Sequence, residues 1–198
     1  ITNGTTIIDN AGKSNDEQAA MNIVQKLGAT VNSVRKEVVI TSSDQIFSSV
    51  FPEKNVLISC GESGLSLRMF APLASLFNYE ITFIGEGSIL KRPVNFFDDI
   101  LPKLGVEVNS NEGKIPLRLK GPLIPRNITV DGSLSSQFLT GLLMAYAKAC
   151  KVPVRIKVKN LTSKPYIDLT MGILEHFGFQ ITHTNYETFN IQTHAKTK

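Results

Sequence analysis

Residues 127–149 read "NITVDGSLSSQFLTGLLMAYAKA": a short strand-like start, a turn built on Asp131 and Gly132, then an apolar run behind Ser135, Ser136 and Gln137. The turn residues and the length of the run predict a strand followed by a helix. The run is apolar on nearly every side, the pattern of a helix surrounded by protein. Three small polar groups crowd its start. Capping accounts for them in one way, because Asp131, Ser133 or Ser135 can bond a free N–H of the first turn. Anion binding accounts for them in another, because the same turn carries unpaired N–H groups and the positive end of the helix dipole. The residues of this stretch leave both readings open.

The pattern recurs. "NVLISCGESGLSLRMFAPLASLF" (residues 55–77) repeats the strand, Gly/Ser turn and apolar helix. It is followed by "YEITFIGEG", "KRPVNFFDDILPKLG", "VEVNS" and "LRLKG", and the 127–149 stretch by "VRIKVKNLTS", "KPYIDLTMGILEHFG", "FQITHTN" and "FNIQTH". Each series reads βαβαββ, and a repeat constrains the fold more than any local propensity. Earlier, "TTIIDNAG", "SNDEQAAMNIVQKLG", "ATVNSV" and "EVVIT" supply only the later part of such a unit. The expected organisation is one globular domain over 1–198: an incomplete first unit over 1–54, a second over 55–122 and a third over 123–198. Opening on Ile1 inside a strand-like run, the chain reads as a segment of something longer.

Between units, Leu65-Ser66 aligns with Leu134-Ser135 and Arg68 with Gln137. The second helix of each unit ends in glycine, at Gly28, Gly105 and Gly178, where a left-handed residue stops a helix. Pro93 and Pro165 are expected at first helical positions. Pro72 is expected to kink or interrupt its helix.

With 198 residues, 42% hydrophobic and 19% charged, the chain can bury a full core. No apolar run approaches the roughly 18–20 residues of a membrane helix, so no membrane partner and a cytoplasmic location are expected. Cys60 and Cys150 lie in apolar segments, as buried thiols rather than a disulfide or metal site. The net charge is +4, yet the 21 Lys and Arg residues are scattered. Without basic clusters interleaved with aromatics, nucleic acid is not an expected partner, and small anions are. His176, His183 and His194 lack metal-ligand spacing, and no metal or cofactor is called for.

The later strand-to-helix junction of the third unit, "NLTSKPYIDLT", again places Ser163, Lys164 and Tyr166 around a helix start. Unit two has the matching pair, "CGESGLSLRMF" and "GEGSILKRPV", with Arg68 and Arg92. Arginine's planar fork suits carboxylate and phosphate, although a solvated arginine is the blander account of either one. Two polar junctions per unit suggest a shared pocket.

These stretches, nearly collinear over the whole chain, resemble the 5-enolpyruvylshikimate-3-phosphate synthases, and "SSQF" followed by "SKPYID" is the most specific part of the likeness. The resemblance implies an α/β (α+β) fold, an enolpyruvyl transferase-type domain of repeated βαβαββ units with inward helices and outer mixed sheets. It implies a second domain that this chain does not cover. By resemblance, Ser135, Ser136, Gln137, Ser163 and Tyr166 bind shikimate 3-phosphate, and Gly64, Arg68 and Arg92 hold phosphoenolpyruvate, whose place the inhibitor glyphosate takes in this family. The implied activity is a carboxyvinyl transfer in the shikimate pathway, toward chorismate and the aromatic amino acids. Family members draw catalytic groups from a Lys-Ser motif and an Arg upstream of Ile1, and from the other domain. No catalytic residue is therefore expected within this segment, and the isolated segment is expected to be inactive.

Three positions depart from the family pattern: Glu62 replaces the common Asn, Leu65 the Thr and Met69 the Pro. A non-catalytic sugar-phosphate-binding protein of the same fold is an alternative, as is a relative of the UDP-N-acetylglucosamine enolpyruvyl transferases. RNA 3′-phosphate cyclases use a similar unit, but no phosphate-tracking basic surface is visible here.

Overall fold

A computed structural model describes residues 1–43, 46, 55–133 and 135–193. Leu134 and His194 lie outside the described residues. The early part forms β1 (Gly4–Ile8), α1 (Asn15–Lys26), β2 (Thr30–Val34) and β3 (Glu37–Ser42). Next come β4 (Asn55–Ser59), α2 (Gly64–Ala74), β5 (Glu80–Ile84), α3 (Asn95–Ile100), β6 (Glu107–Asn111) and β7 (Lys114–Lys120). The last set is β8 (Ile128–Asp131), α4 (Ser136–Ala149), β9 (Val154–Lys159), α5 (Lys164–His176), β10 (Ile181–Thr184) and β11 (Thr188–Ile191). The second and third sets each run βαβαββ.

The strands form three separate sheets, ordered β1-β3-β2, β4-β5-β7-β6 and β10-β11-β9-β8. The two larger sheets are mixed, since β4 runs parallel to β5 and β8 to β9 while every other pairing is antiparallel. By position β1 corresponds to β5 and β9, so its outer edge has no strand partner among the described residues.

Along β7, Ile115, Leu117 and Leu119 are buried while Lys114, Pro116, Arg118 and Lys120 are exposed; Val154, Ile156 and Val158 do the same on β9. This period of two turns one face of each sheet inward and the other to water. The inward faces meet α2 and α4, which are buried along most of their length, and α4 buries Phe138 through Leu143 and Ala145 through Ala147. By contrast α5 buries only the stripe Ile167, Thr170 and Leu174.

α2 and α4 pack against each other at a glycine. A Cβ on Gly141 would lie 2.5 Å from Met69 O, 2.9 Å from Arg68 O and 3.0 Å from Pro72 Cγ. Pro72 does not interrupt α2, which continues to Ala74. It has no N–H to give the Arg68 carbonyl, and that carbonyl faces Gly141.

Unit two's second helix is shorter than its sequence suggests. A 3-10 turn (Gly87–Lys91) precedes it, Val94 is its N-cap, and a second 3-10 turn begins at Pro102. Pro93 therefore stands before the helix, and Arg92 is extended (φ −80°, ψ 134°), as the residue preceding a proline tends to be. Pro102 cannot donate back to Asp98, which ends the α-helical pattern. Pro165 is the second residue of α5. Gly28, Gly105 and Gly178 have φ of +103°, +86° and +83°, the left-handed stop expected of them.

Both cysteines are free and buried. Burial pushes the Cys60 thiol from 9.0 up to about 12. The folded chain holds that proton longer than the unfolded one, so the stability it contributes is complete below pH 9.0 and is lost as pH rises toward 12. Unfolding free energy should fall by roughly 1.4 kcal/mol per pH unit within that window, and Cys60→Ala should flatten the slope. Urea titrations at pH 8, 9.5 and 10.5 test this; equal slopes for the two chains would refute it. No helix among the described residues is long and apolar enough to cross a membrane.

Candidate functional site

The starts of α2, α4 and α5, which the sequence singled out, border one cleft. Ser135 is the N-cap of α4: its Oγ accepts from Gln137 N–H at 3.1 Å and from Phe138 N–H at 3.4 Å. Capping uses the lone pairs of the hydroxyl and leaves its O–H free to donate, so the two readings of Ser135 are compatible. Ser63 caps α2 in the same way, accepting from Ser66 N–H at 3.1 Å. Ser163 is the N-cap of α5 but makes no side-chain cap bond, which leaves its hydroxyl available.

Helix position corrects one alignment. The N-caps make Ser63 equivalent to Ser135, so Gly64 matches Ser136 and Leu65 matches Gln137. Arg68 thus lies one turn further into α2 than Gln137 lies in α4. Sequence similarity of "LS" to "LS" misleads here because the cap, not the dipeptide, sets the register.

Ser136, Gln137, Ser163 and Tyr166 line a single cleft of ≈ 610 Å³ between α4, α5 and α2. Leu65 and Met69 border it from α2, and Leu169 and Ile173 form an apolar wall from α5. Ser135 does not line this cleft; it sits at the cap beside it.

The spacing between the two helix starts is held by contacts that the sequence does not advertise. Thr170 Oγ1 donates to Tyr166 O at 2.8 Å, so the 2.9 Å contact between Thr140 and Thr170 Oγ1 has Thr140 as donor. Both threonines are buried. Phe138, next to Gln137, packs edge-on to Phe97 (5.3 Å between centroids) and against Phe96 (4.9 Å). These rings anchor the start of α4 on α3 of the preceding unit. Their only sequence signal is an apolar residue following "SSQ". Lys164, which the motif includes without an assigned contact, has its Nζ 5.2 Å from the centre of the Tyr186 ring.

Arg68 and Arg92 meet at Gly64. A Cβ there would lie 2.7 Å from Arg68 Nη1 and 2.8 Å from Arg92 Nη1. Arg68 Nη1 donates to Gly64 O at 3.2 Å, and its buried Nε has no hydrogen-bond partner among the described residues. Neither guanidinium has a carboxylate at ion-pair distance among the described residues. Burial first, and the charge of Arg92 second, lower the pKa of Arg68. Two guanidiniums without a counter-charge, beside the first turn of a helix, have the chemistry to accept an anion. Gly64→Ala should push both side chains aside without unfolding the chain, because only the flexible ends of arginines stand in the way. Titration with inorganic phosphate should show about tenfold weaker binding at an unchanged melting temperature; unaltered affinity would contradict this placement.

His183 is occupied locally: its Nδ1 accepts Tyr186 N–H at 3.1 Å, and its ring stacks on Tyr186 at 4.0 Å between centroids. His176 ends α5.

Sheets outside, buried helices inside and polar helix starts around one mouth define a βαβαββ-repeat domain of the enolpyruvyl transferase type. The same fold is seen in EPSP synthase from Acinetobacter baumannii, with a TM-score of 0.80 at 21% identity over 99% of this chain and 43% of that one. The sequence profile for EPSP synthase (3-phosphoshikimate 1-carboxyvinyltransferase) matches residues 1–198, and the chain belongs to that family. It is 30% identical to the 3-phosphoshikimate 1-carboxyvinyltransferase of Clostridium novyi over 99% of this chain and 46% of that protein. To the one from Pseudoalteromonas translucida it is 33% identical, over 97% of this chain and 45% of that protein. The chain therefore spans less than half the length of these relatives.

Proposed function

We propose that this chain is the shikimate 3-phosphate-binding part of a 3-phosphoshikimate 1-carboxyvinyltransferase. The observation that carries the reading is the convergence of Ser136, Gln137, Ser163 and Tyr166 on one cleft, with the Arg68–Arg92 pair at Gly64 on the neighbouring helix start. Ser135, Ser136 and Ser163 donate hydroxyls to the phosphate, while Gln137 and Tyr166 face the ring. Gly64, Arg68 and Arg92 take the charges of phosphoenolpyruvate.

In the reaction, the 5-hydroxyl oxygen of shikimate 3-phosphate bonds to C2 of phosphoenolpyruvate, its proton leaves to a base, and C3 gains a proton. Phosphate then departs from C2 as C3 gives up a proton, restoring the double bond on the transferred group. Such steps need an acid/base pair as well as positive charge. This chain's arginines and helix starts supply charge and orientation; the acid/base groups come from the enzyme's second domain. The pure chain is silent in turnover, works in the cytoplasm on small molecules, and binds neither nucleic acid nor membrane.

Calorimetric titration of the chain with shikimate 3-phosphate tests this, with unphosphorylated shikimate and a Ser135→Ala, Gln137→Ala double variant as controls. Saturable binding that requires the phosphate and disappears in the variant is expected. Equal binding of shikimate with and without its phosphate would overturn the assignment, and so would turnover by the pure chain overturn its silence.

A further inference from the structure

Glu62, one of the departures from the family pattern, stands in the turn between β4 and α2. That turn is laced to the one after β5 by three hydrogen bonds: Cys60 N–H to Ile84 O (2.9 Å), Glu86 N–H to Gly61 O (2.9 Å), and Ser88 N–H to Glu62 Oε2 (3.0 Å). The third is the one made by a side chain. It falls at the start of the 3-10 turn Gly87–Lys91, whose own N-cap, Glu86, makes no side-chain cap bond. Gly87, at φ +60°, lies so close to the Glu62 carboxylate that any Cβ there would overlap it. A carboxylate accepting from a first-turn N–H holds such a turn by charge-assisted bonding and by its dipole.

The turn ends at Arg92. Its N–H bonds Ile89 O at 3.1 Å, and its guanidinium leans back to Ser88 Oγ at 3.5 Å and forward to Gly64. We propose that Glu62 is a positioning residue for Arg92: by holding Ser88 N–H it fixes the turn that delivers the guanidinium to Gly64, and its carboxylate makes no ion pair with either arginine. The proposal deepens, and rests on, the reading of Gly64, Arg68 and Arg92 as the place of an anionic substrate.

Electrostatics alone predicts the opposite sign from positioning. Removing a nearby negative charge should strengthen anion binding, whatever replaces it. Positioning instead separates two variants. Glu62→Gln removes the charge but keeps an oxygen for Ser88 N–H, and should bind inorganic phosphate at least as tightly as the unaltered chain. Glu62→Ala removes both, and should bind about tenfold more weakly than the Gln variant. Phosphate titration of the three chains, with melting temperatures as a check on folding, reads this directly. An Ala variant that binds as tightly as the Gln variant overturns the proposal.

A ligand-free measurement stands beside it. In a crystal structure of Glu62→Ala the Arg92 guanidinium should have left Gly64, and a guanidinium still in contact there overturns the proposal even if phosphate binds none of the three chains measurably. Failure of the broader functional reading looks different: shikimate 3-phosphate would not bind the unaltered chain, while the ordering of the Gln and Ala variants toward phosphate would persist.

Discussion

Gly141→Val is expected to cost at least about 3–5 kcal/mol and to lower the melting temperature by roughly 10 °C or more. The first atom added beyond Cα would stand 2.5 Å from Met69 O and 2.9 Å from Arg68 O. These are main-chain carbonyls in the middle of α2, so neither can rotate away as a side-chain end would. The helices must separate, and α2 and α4 are the two most deeply buried in the fold, so the sheets that close over them lose packing as well. Gly141→Ala is the graded control. It gains about 1 kcal/mol of helix propensity but meets the same carbonyls, and should still lower stability. Thermal unfolding followed by circular dichroism checks both; a valine variant melting with the unaltered chain would mean that α2 and α4 are not in contact at this glycine.

Arg68→Met is the second large effect, and its two consequences have opposite sign. On the proposed reading of Gly64, Arg68 and Arg92 as an anion site, loss of a charged hydrogen-bond donor should weaken phosphate binding by roughly 10- to 150-fold. The same change should stabilise the empty chain. Arg68 is half-buried, carries a buried Nε without a partner among the described residues, and lies against Arg92 at Gly64. Burial and the like charge both disfavour its ionised form. Methionine fills a similar stem volume without that charge. Solvent screening keeps the gain small, and the melting temperature should rise by about 1–3 °C. Scanning calorimetry together with phosphate titration measures both. A variant that melts lower than the unaltered chain would show that the guanidinium is held by favourable interactions rather than retained for its ligand.

Much of the fold is legible in the residues alone. The βαβαββ order, the buried first helices of the second and third units, and the left-handed stops at Gly28, Gly105 and Gly178 all follow from local chemistry: period, apolarity and the freedom of glycine at positive φ. The polar helix starts are legible for the same reason, since "SLSSQ" and "TSKPY" carry their signal within a few residues. The prolines are less so. Pro72 leaves α2 running to Ala74, with the Arg68 carbonyl that it cannot reach facing Gly141, and Pro93 falls before α3 because an intervening 3-10 turn moves the helix start to Asn95.

The element order and the chemical types gathered at the helix starts are set by neighbours in the chain, and so were legible in the residues. Which of those groups meet is a matter of packing between elements. It brought Arg92 across 28 positions of chain to Gly64, tied Thr140 to Thr170, and turned Glu62 toward Ser88. Those contacts join residues far apart in the chain, and their geometry depends on how the sheets and the two buried helices pack, which no local pattern encodes.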